Sequence, residues 1–266
     1  NNFTSVSDTC GATGSASVTF TATDNCGNSS STTATFTIID NTNPTITTQA
    51  SNLEVQCDGN GNTAALNAWL ASNGGASATD VCSSVTWSNN FTSVSDTCGA
   101  TGSASVTFTA TDNCGNSSST TATFTIIDNT NPVISVQASN LEVQCDGNGN
   151  TAALNAWLAS NGGGAATDVC SSVTWTNNFT SVSDTCGATG SASVTFTATD
   201  NCGNSSYTTA TFTIIDNTNP VISVQASNLE VQCDGNGNTA ALNAWLASNG
   251  GASATDVCSS VTWSNN

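Results

Sequence analysis

The chain has 266 residues and contains no Lys, Arg or His, while its 18 Asp and Glu residues give a formal net charge of −18 at pH 7. Nucleic acids and anionic membranes are therefore poor partners, because proteins bind both through basic residues. Without His or Lys, only carboxylates and hydroxyls remain for acid–base catalysis, so we expect no enzyme activity. No apolar run approaches the ~20 residues of a membrane-spanning helix, and we expect no membrane insertion by this segment.

The sequence repeats every 88 residues, as the spacing of Trp87, Trp175 and Trp263 shows. The first two copies differ at only six of the 88 positions. Such identity is typical of an array in which one structural unit is repeated along the chain. A unit begins most naturally after Asn43-Pro44, so we predict complete repeats at 44–131 and 132–219. Residues 1–43 would then be the C-terminal part of a repeat, and 220–266 the N-terminal part of another. We expect either that the sequence is an excerpt of a longer polymer or that neighbouring chains complete its ends.

The first half of a complete repeat predicts one strand and one helix. Residues 52–57 alternate between apolar and polar side chains, as a half-buried strand does. Asn62 or Thr63 can cap a helix whose apolar stripe includes Leu66 and Trp69, and which ends at Gly74-Gly75. The position of Trp69 on this stripe favours a core residue over a ligand-binding residue.

The second half predicts strands. Residues 83–91 have the apolar–polar alternation of a strand. Residues 103–111 and 122–126 alternate in the same way on either side of the turn Asn113-Cys114-Gly115-Asn116, which predicts a hairpin. With further weak strand segments and turns about every ten residues, this pattern is typical of an all-β, Ig-like β-sandwich carrying one short inserted helix.

The 12 cysteines occur as four per repeat at fixed positions. In a chain rich in Ser, Thr, Asn and Gly, this indicates two disulfides per repeat and an oxidising environment, as outside a cell. A zinc site is disfavoured because the spacings contain no C-x-x-C pair.

Strand direction narrows the disulfide pairing. We expect the chain to enter each tandem repeat at one end, the leading end, and to leave it at the opposite, trailing end. Cys98 and Cys114 then lie at opposite ends of a nine-residue strand of roughly 30 Å. Bonded cysteines need Cα atoms within about 7 Å, so this pair is disfavoured. If the strand ending at Cys57 also runs toward the trailing end, the consistent pairs are Cys57–Cys98 and Cys82–Cys114. Their equivalents in the next repeat are Cys145–Cys186 and Cys170–Cys202.

The motif T-A-T-D-N-C-G-N-S, followed by T-x-T-F-T-I and D-N-T-N-P, resembles hyalin-repeat (HYR) and HYR-like domains. With four cysteines and the L-N-A-W-L-A-S-N-G-G helix, the unit looks most like repeats of giant Bacteroidota surface proteins, including gliding-motility adhesins of the SprB type. The resemblance covers the whole of each repeat. It implies tandem Ig-like domains with an extracellular adhesive or fibrous role at a cell surface, and it leaves the ligand undefined.

The linker D-N-T-N-P also resembles the calcium-binding junction of cadherins. Calcium requires six to eight oxygen ligands, which carboxylates, amides and carbonyls can supply. The same strand directions predict that each linker aspartate lies near two other aspartates at the leading end of the following repeat. The candidate calcium ligands are Asp40, Asp80 and Asp112; Asp128, Asp168 and Asp200; and Asp216 with Asp256. The alternative is that these residues cap turns.

Three functions stay open at this point. The first is a rod-like surface stalk or adhesive filament built from one long polypeptide. The second is a self-assembling fibre, in which half-repeats of neighbouring chains complete one another. The third is binding of carbohydrate or ice through exposed threonines, with Thr107, Thr109 and Thr111 beside Thr121, Thr123 and Thr125, although strand propensity alone also explains these residues. The expected partners are neighbouring repeats or identical chains, with surface polysaccharide or a substratum as further candidates.

Overall fold

The computed structural model describes residues 5–266, so the first four residues of the predicted partial repeat 1–43 lie outside the described residues. The chain divides into two compact units. The first contains residues 1–129 and 169–171, and the second contains 130–168 and 172–266.

The first unit contains one complete set of repeat elements, preceded by a hairpin. The hairpin strands are β1 (Gly14–Thr23) and β2 (Ser29–Ile38). The elements that follow are β3 (Thr45–Thr48), β4 (Leu53–Gln56), α1 (Thr63–Ala71), β5 (Ser77–Thr79), β6 (Val85–Asn89), β7 (Gly102–Asp112) and β8 (Ser117–Ile127).

The second unit repeats these elements and then begins another set. Its complete set is β9 (Val133–Val136), β10 (Leu141–Gln144), α2 (Thr151–Ala159), β11 (Ala165–Thr167), β12 (Val173–Asn177), β13 (Gly190–Asp200) and β14 (Ser205–Ile215). The final elements are β15 (Val221–Val224), α3 (Thr239–Ala247) and β16 (Ser253–Thr255). The predicted all-β class with one short helix per repeat is confirmed.

Each complete set of elements forms a four-stranded sheet and a two-stranded sheet. In the first unit the larger sheet has the order β4-β8-β7-β6, and β3 pairs with β5. The long strands β7 and β8 form an antiparallel hairpin, whereas β4 pairs with β8 in parallel. In the second unit the same arrangement is formed by β10-β14-β13-β12 and by β11 with β9.

The core lies on one face of the larger sheet, as the alternation of side chains predicts. Val106, Phe108 and Phe124 are completely buried there. Because successive strand residues point to opposite faces, the intervening threonines lie on the other face. Trp69 of α1 packs edge-on against Phe108 with ring centroids 5.1 Å apart and also contacts Phe124 at 5.7 Å. Trp69 is therefore a core residue, as its position on the apolar stripe predicts.

The turn before α1 fixes the start of the helix. Asp58 Oδ1 accepts hydrogen bonds from the backbone N–H groups of Asn60 (2.7 Å) and Asn62 (3.0 Å). Asn62 adopts a left-handed conformation with φ of 51° and makes no side-chain cap to the helix. Instead, its side chain donates to the Gln56 carbonyl at 2.8 Å, so it ties the helix to the end of β4.

The two partial repeats lack part of the larger sheet. In the first unit β1 pairs with β2 alone. Residues 229–232 and 261–265, which are equivalent in sequence to β4 and β6, form no strand. Their apolar side chains are correspondingly exposed: Phe36 is 63% exposed, whereas its equivalent Phe124 is 0% exposed.

Candidate repeat junctions

Disulfides join cysteines that belong to different repeats. Cys10 is bonded to Cys114 in the first unit, 104 residues further along the chain. Cys57 is bonded to Cys170 there, and Cys145 is bonded to Cys258 in the second unit, each pair being 113 residues apart. Both separations exceed the 88-residue period. The disulfides therefore link one repeat to the next along the chain.

The predicted pairing within each repeat is wrong. Cys57–Cys98 and Cys170–Cys202 are not formed, because Cys57 and Cys170 are bonded to each other. Cys82–Cys114 and Cys145–Cys186 are not formed either, because Cys114 is bonded to Cys10 and Cys145 to Cys258. Cys98 and Cys202 are each part of a disulfide. Four cysteines carry free thiols in residues 5–266: Cys26, Cys82, Cys186 and Cys233.

The cysteines lie at the predicted ends of the repeat, but their bonding partners differ from the predicted ones. Cys57 Sγ lies 3.7 Å from the Ala100 carbonyl, so Cys57 and the loop after Cys98 share one end of the repeat. At the other end, Ser83 Oγ accepts a hydrogen bond from the Asn113 N–H at 3.1 Å, next to Cys82 and Cys114. A cysteine at the end of a strand can bond to either its own repeat or the adjacent one, and the periodic sequence does not distinguish these two choices.

Backbone contacts accompany the disulfides. The loop Cys-Gly-Ala of one repeat packs on the cysteine carbonyl of the next, and the Ala N–H donates to that carbonyl at 2.8 Å. These hydrogen bonds are Ala12 to Cys82 and Ala100 to Cys170 in the first unit, and Ala188 to Cys258 in the second. The glycine is required because Gly99 has φ of +60° and a Cβ at this position would overlap the Cys170 carbonyl. This loop was not predicted from the sequence, although the motif Cys-Gly-Ala-Thr-Gly, which begins at Cys10, Cys98 and Cys186, marks it.

Acidic side chains converge at the junction in the first unit. Ligand atoms of Asp40, Asp80 and Cys82 lie within 4.8 Å of one another. Asp80 Oδ1 accepts hydrogen bonds from the N–H groups of Cys82 (2.8 Å) and Ser83 (3.0 Å). Asp40 Oδ1 accepts from the Thr42 N–H at 3.0 Å, but its Oδ2 atom is buried and accepts no hydrogen bond from the described residues. Burial, together with the negative charges of Asp40, Asp80 and Asp112, raises the pKa of the Cys82 thiol.

The second unit contains an equivalent group, Asp216, Asp256 and Cys258. Here the cysteine sulfur is bonded to Cys145, so only the two carboxylates can bind a cation. Asp256 Oδ1 accepts hydrogen bonds from the N–H groups of Cys258 and Ser259, both at 2.9 Å. Asp216 Oδ1 accepts from the Thr218 N–H at 3.0 Å. The chain has no basic side chain with which either carboxylate could pair.

The third member of each predicted calcium trio caps a turn. Asp112 Oδ1 accepts from the N–H groups of Cys114 (2.8 Å) and Asn116 (2.9 Å), and Oδ2 accepts from Asn116 Nδ2 at 2.8 Å. Asp200 makes the same contacts with Cys202 and Asn204. Burial alone would raise the pKa of Asp112, but these hydrogen bonds outweigh it and lower the pKa. Both carboxylates are therefore occupied by backbone and amide donors, so the turn-capping alternative describes them.

The remaining predicted ligands are Asp128 and Asp168. Asp128 follows β8, and its Oδ1 accepts from Gln56 Nε2 at 3.2 Å. Asp168 follows β11 and is half-buried. A calcium ion fits the Asp40 site, since Asp40 has a buried Oδ2 atom without a donor among the described residues and a carboxylate oxygen of Asp40 lies within 4.8 Å of one of Asp80. Carboxylate oxygens are ligands that calcium prefers.

Of the six threonines on the candidate binding face, two are paired with each other and four are half-buried. Thr107 and Thr121 face each other across β7 and β8, with their hydroxyl oxygens 3.1 Å apart. Thr109, Thr111, Thr123 and Thr125 are half-buried. These contacts are those of ordinary cross-strand pairs.

No protein-family model and no curated protein matches this chain. Solved structures that match it include extracellular cadherin domains of protocadherins and Ig domains of titin. The protocadherin PcdhgB3 EC1-4 structure aligns with a TM-score of 0.29 and 13% identity, covering 82% of this chain and 62% of that one. A three-domain Ig structure of titin aligns with a TM-score of 0.31 and 10% identity, covering 76% of this chain and 75% of that one. The chain thus spans about 62% of the length of the protocadherin structure. In the part of the chain that the structure describes, no helix is long and apolar enough to cross a membrane.

Proposed function

We propose that this chain is part of an extracellular structural or adhesive array of tandem Ig-like repeats that carries tension along a surface stalk or filament. The observation that supports this proposal is the pair of disulfides Cys57–Cys170 and Cys145–Cys258. Both connect a repeat to its successor, so tension can pass between repeats through covalent bonds other than the backbone.

The two disulfides shorten the covalent path through the chain. A force applied at the termini passes from residue 1 to Cys57, crosses to Cys170, returns to Cys145 and crosses to Cys258. This path includes about 90 of the 266 residues. At roughly 3.5 Å per extended residue, it can reach about 310 Å, compared with about 930 Å for the full chain. The other disulfides can only shorten the path further.

The composition suits exposure outside a cell. The disulfides require an oxidising compartment, and the absence of Lys and Arg removes every trypsin cleavage site. The partners we propose are neighbouring repeats and identical chains, with surface polysaccharide or a substratum contacted elsewhere in the array. The finer assignment, to HYR-like repeats of gliding-motility adhesins, rests on the sequence motifs alone.

Single-molecule force spectroscopy of the full chain, held at its two termini, tests this function. Under oxidising conditions we expect a total contour length of at most about 310 Å, and after reduction a length close to 930 Å. A matched control is Cys26→Ser, which removes a free thiol and should change neither value. A contour length that is long before reduction as well would contradict a tension-bearing role for the disulfides.

We also propose a structural calcium ion at Asp40 and Asp80. The donorless, buried Oδ2 atom of Asp40 supports it, since an uncompensated buried carboxylate oxygen is costly. When bound, calcium would supply positive charge that the chain cannot provide from its own side chains. Asp40 and Asp80 would hold the ion, and backbone carbonyls and water would complete the coordination.

A further inference from the structure

The two complete repeats, 44–131 and 132–219, differ at only seven of their 88 positions. In the second of these repeats the differing residues are Val133, Ser135, Val136, Gly164, Ala165, Thr176 and Tyr207. The first five lie on β9, on β11 or directly before β11. The last two lie on the larger sheet, in β12 and β14.

Thr176 and Tyr207 belong to one row of side chains across the larger sheet. Thr176 of β12 lies opposite Thr197 of β13, and Thr197 lies opposite Tyr207 of β14. We call these three residues the Tyr207 row. In the first complete repeat, the equivalent row consists of Ser88, Thr109 and Ser119. The two differences on the larger sheet therefore fall in the same row and change it from Ser-Thr-Ser to Thr-Thr-Tyr.

The Tyr207 row lies on the outer face of the sheet, away from the core. Phe196 and Ala198 are completely buried on the core side, so Thr197 between them points to the outer face. Tyr207 is 72% exposed, and Thr176 is exposed as well. Tyr207 is also the only tyrosine of the chain. The second complete repeat thus presents an exposed aromatic ring where the first has a serine.

The Tyr207 row also has hydroxyl groups that the fold does not use. Elsewhere on this face, the hydroxyl oxygens of Thr195 and Thr209 lie 3.4 Å apart and can share a hydrogen bond. By contrast, the hydroxyls of Thr176 and Thr197 make no hydrogen bond with the described residues. Because neighbouring strands lie about 4.8 Å apart, the row spans about 10 Å. Two hydroxyls and one aromatic ring are therefore available to a ligand along a flat strip.

No charged side chain belongs to the Tyr207 row, although the chain is strongly acidic. On the same face, Glu142 lies opposite Thr213, six residues along β14 from Tyr207 and hence about 20 Å away. Asp200 is closer to Thr197 but is only 5% exposed and caps its own turn. Charges more than about 8–10 Å apart at a surface are largely screened at physiological salt. The row therefore suits an uncharged ligand, whereas the net charge of −18 repels an anionic polymer.

We propose that the Tyr207 row binds a neutral polysaccharide built of pyranose rings. The ring of Tyr207 packs against the apolar C–H face of a sugar, because an exposed aromatic side chain offers a large apolar surface at low conformational cost. The hydroxyls of Thr176 and Thr197 can each donate and accept, so they pair with sugar hydroxyls. This contact adds to any made elsewhere in the array proposed above. Since the row lies within one repeat, it does not depend on the disulfides that would carry tension.

Native gel electrophoresis of the full chain tests the site, with hydroxyethyl cellulose, galactomannan or dextran in the gel as neutral polysaccharides. At least one of them should retard the chain, whereas alginate, which is anionic, should not. Tyr207→Ser should weaken the apparent affinity about fivefold, the scale of one aromatic contact. This variant should fold, because Ser119 occupies the equivalent position of a complete repeat. Tyr207→Phe keeps the ring and should keep the binding.

The first complete repeat provides a matched gain-of-function variant. Ser88→Thr with Ser119→Tyr gives its row the side chains of the Tyr207 row, and should restore retardation to the chain that carries Tyr207→Ser. Retardation by none of the three neutral polysaccharides, or equal retardation of the chain and Tyr207→Ser, would overturn the site. Dimerisation that depends on Tyr207, seen by analytical ultracentrifugation without polysaccharide, would also overturn it and assign the row to a second copy. The contour length reports the disulfides alone, so either proposal can fail without the other.

Discussion

Cys57 and Cys170 are 113 residues apart in the sequence, and their Cα atoms are 6.0 Å apart. Cys57 follows β4 of one repeat, and Cys170 follows β11 of the next. Next to this bond, the Ala100 N–H donates to the Cys170 carbonyl at 2.8 Å. Covalent and backbone contacts thus meet at one point, and the junction between repeats is constrained by more than its linker.

Replacing Cys57 by Ser should destabilise the first unit. The disulfide closes a loop of more than 100 residues, and removing such a bond costs about 2–5 kcal/mol in free energy of unfolding. Chemical denaturation of the oxidised protein, followed by Trp fluorescence, measures this. Cys26→Ser, at an exposed and unbonded position, is the control and should leave the midpoint unchanged. Equal midpoints for the two variants would show that Cys57 is not bonded in solution.

The elements inside a repeat could be predicted from the sequence because their signals are local. The alternation in 103–111 is a property of one strand, and the burial of Val106 and Phe108 follows from it. The partner of Cys57 could not be predicted, because Cys98 and Cys170 are both compatible with a cysteine at the trailing end. Identical repeats make this ambiguity worse, since a contact with the same repeat and a contact with the next one have the same sequence pattern.

For the predicted calcium trios, too, the sequence predicts where a residue lies but not which partners its side chain has. Asp112 was grouped with Asp40 and Asp80 because all three were expected at one end of a repeat, and the charge of Asp112 does act on Cys82 there. Its carboxylate is nevertheless occupied by donors from Cys114 and Asn116. The sequence places a residue at one end of a strand, but the hydrogen bonds that a side chain makes there depend on the turn geometry.

Substituting Ala at Gly74 should destabilise the core more than the same change at Gly61. Both glycines have positive φ, +65° and +74°, so both changes cost about 1–2 kcal/mol for the left-handed backbone. At Gly74 the new Cβ would also lie 3.0 Å from Phe108 Cε2 and 3.1 Å from Ala50 Cβ, whereas the space at Gly61 is open. Overpacking adds about 1–3 kcal/mol at Gly74. Denaturation midpoints compare the variants, and equal losses would mean that Gly74 is not packed against the core.

Calcium should raise the melting temperature of the chain, and a chelator should reverse the effect. Extracellular calcium sites bind with Kd values of about 10⁻⁴–10⁻³ M. A concentration of 10 mM calcium should therefore raise the melting temperature by ~5 °C relative to a sample with chelator. Asp40→Asn and Asp80→Asn should each reduce this shift, because they remove a carboxylate from the site. Asp96→Asn, at an exposed carboxylate outside the Asp40–Asp80–Cys82 group, is the control. A calcium effect that survives in both site variants would place the ion elsewhere.

Acid should destabilise the chain through its turn-capping aspartates. Hydrogen bonds from backbone and amide donors lower the pKa of Asp58, Asp112 and Asp200 in the folded protein. The folded state therefore binds fewer protons than the unfolded state, in which an aspartate titrates near a pKa of about 3.9. Their stabilising contribution is present in full well above that value and is lost as the pH falls through the lowered, folded-state pKa values.

Urea denaturation at a series of pH values between about 2 and 7 measures this dependence. We expect a constant free energy of unfolding near neutral pH and a progressive loss below about pH 4. Asp112→Asn should make this acid-induced loss smaller, since Asn keeps an oxygen that can accept from the Cys114 and Asn116 N–H groups but does not titrate. If Asp112→Asn and the unsubstituted chain lost stability in parallel, the turn would not be the source of the acid sensitivity.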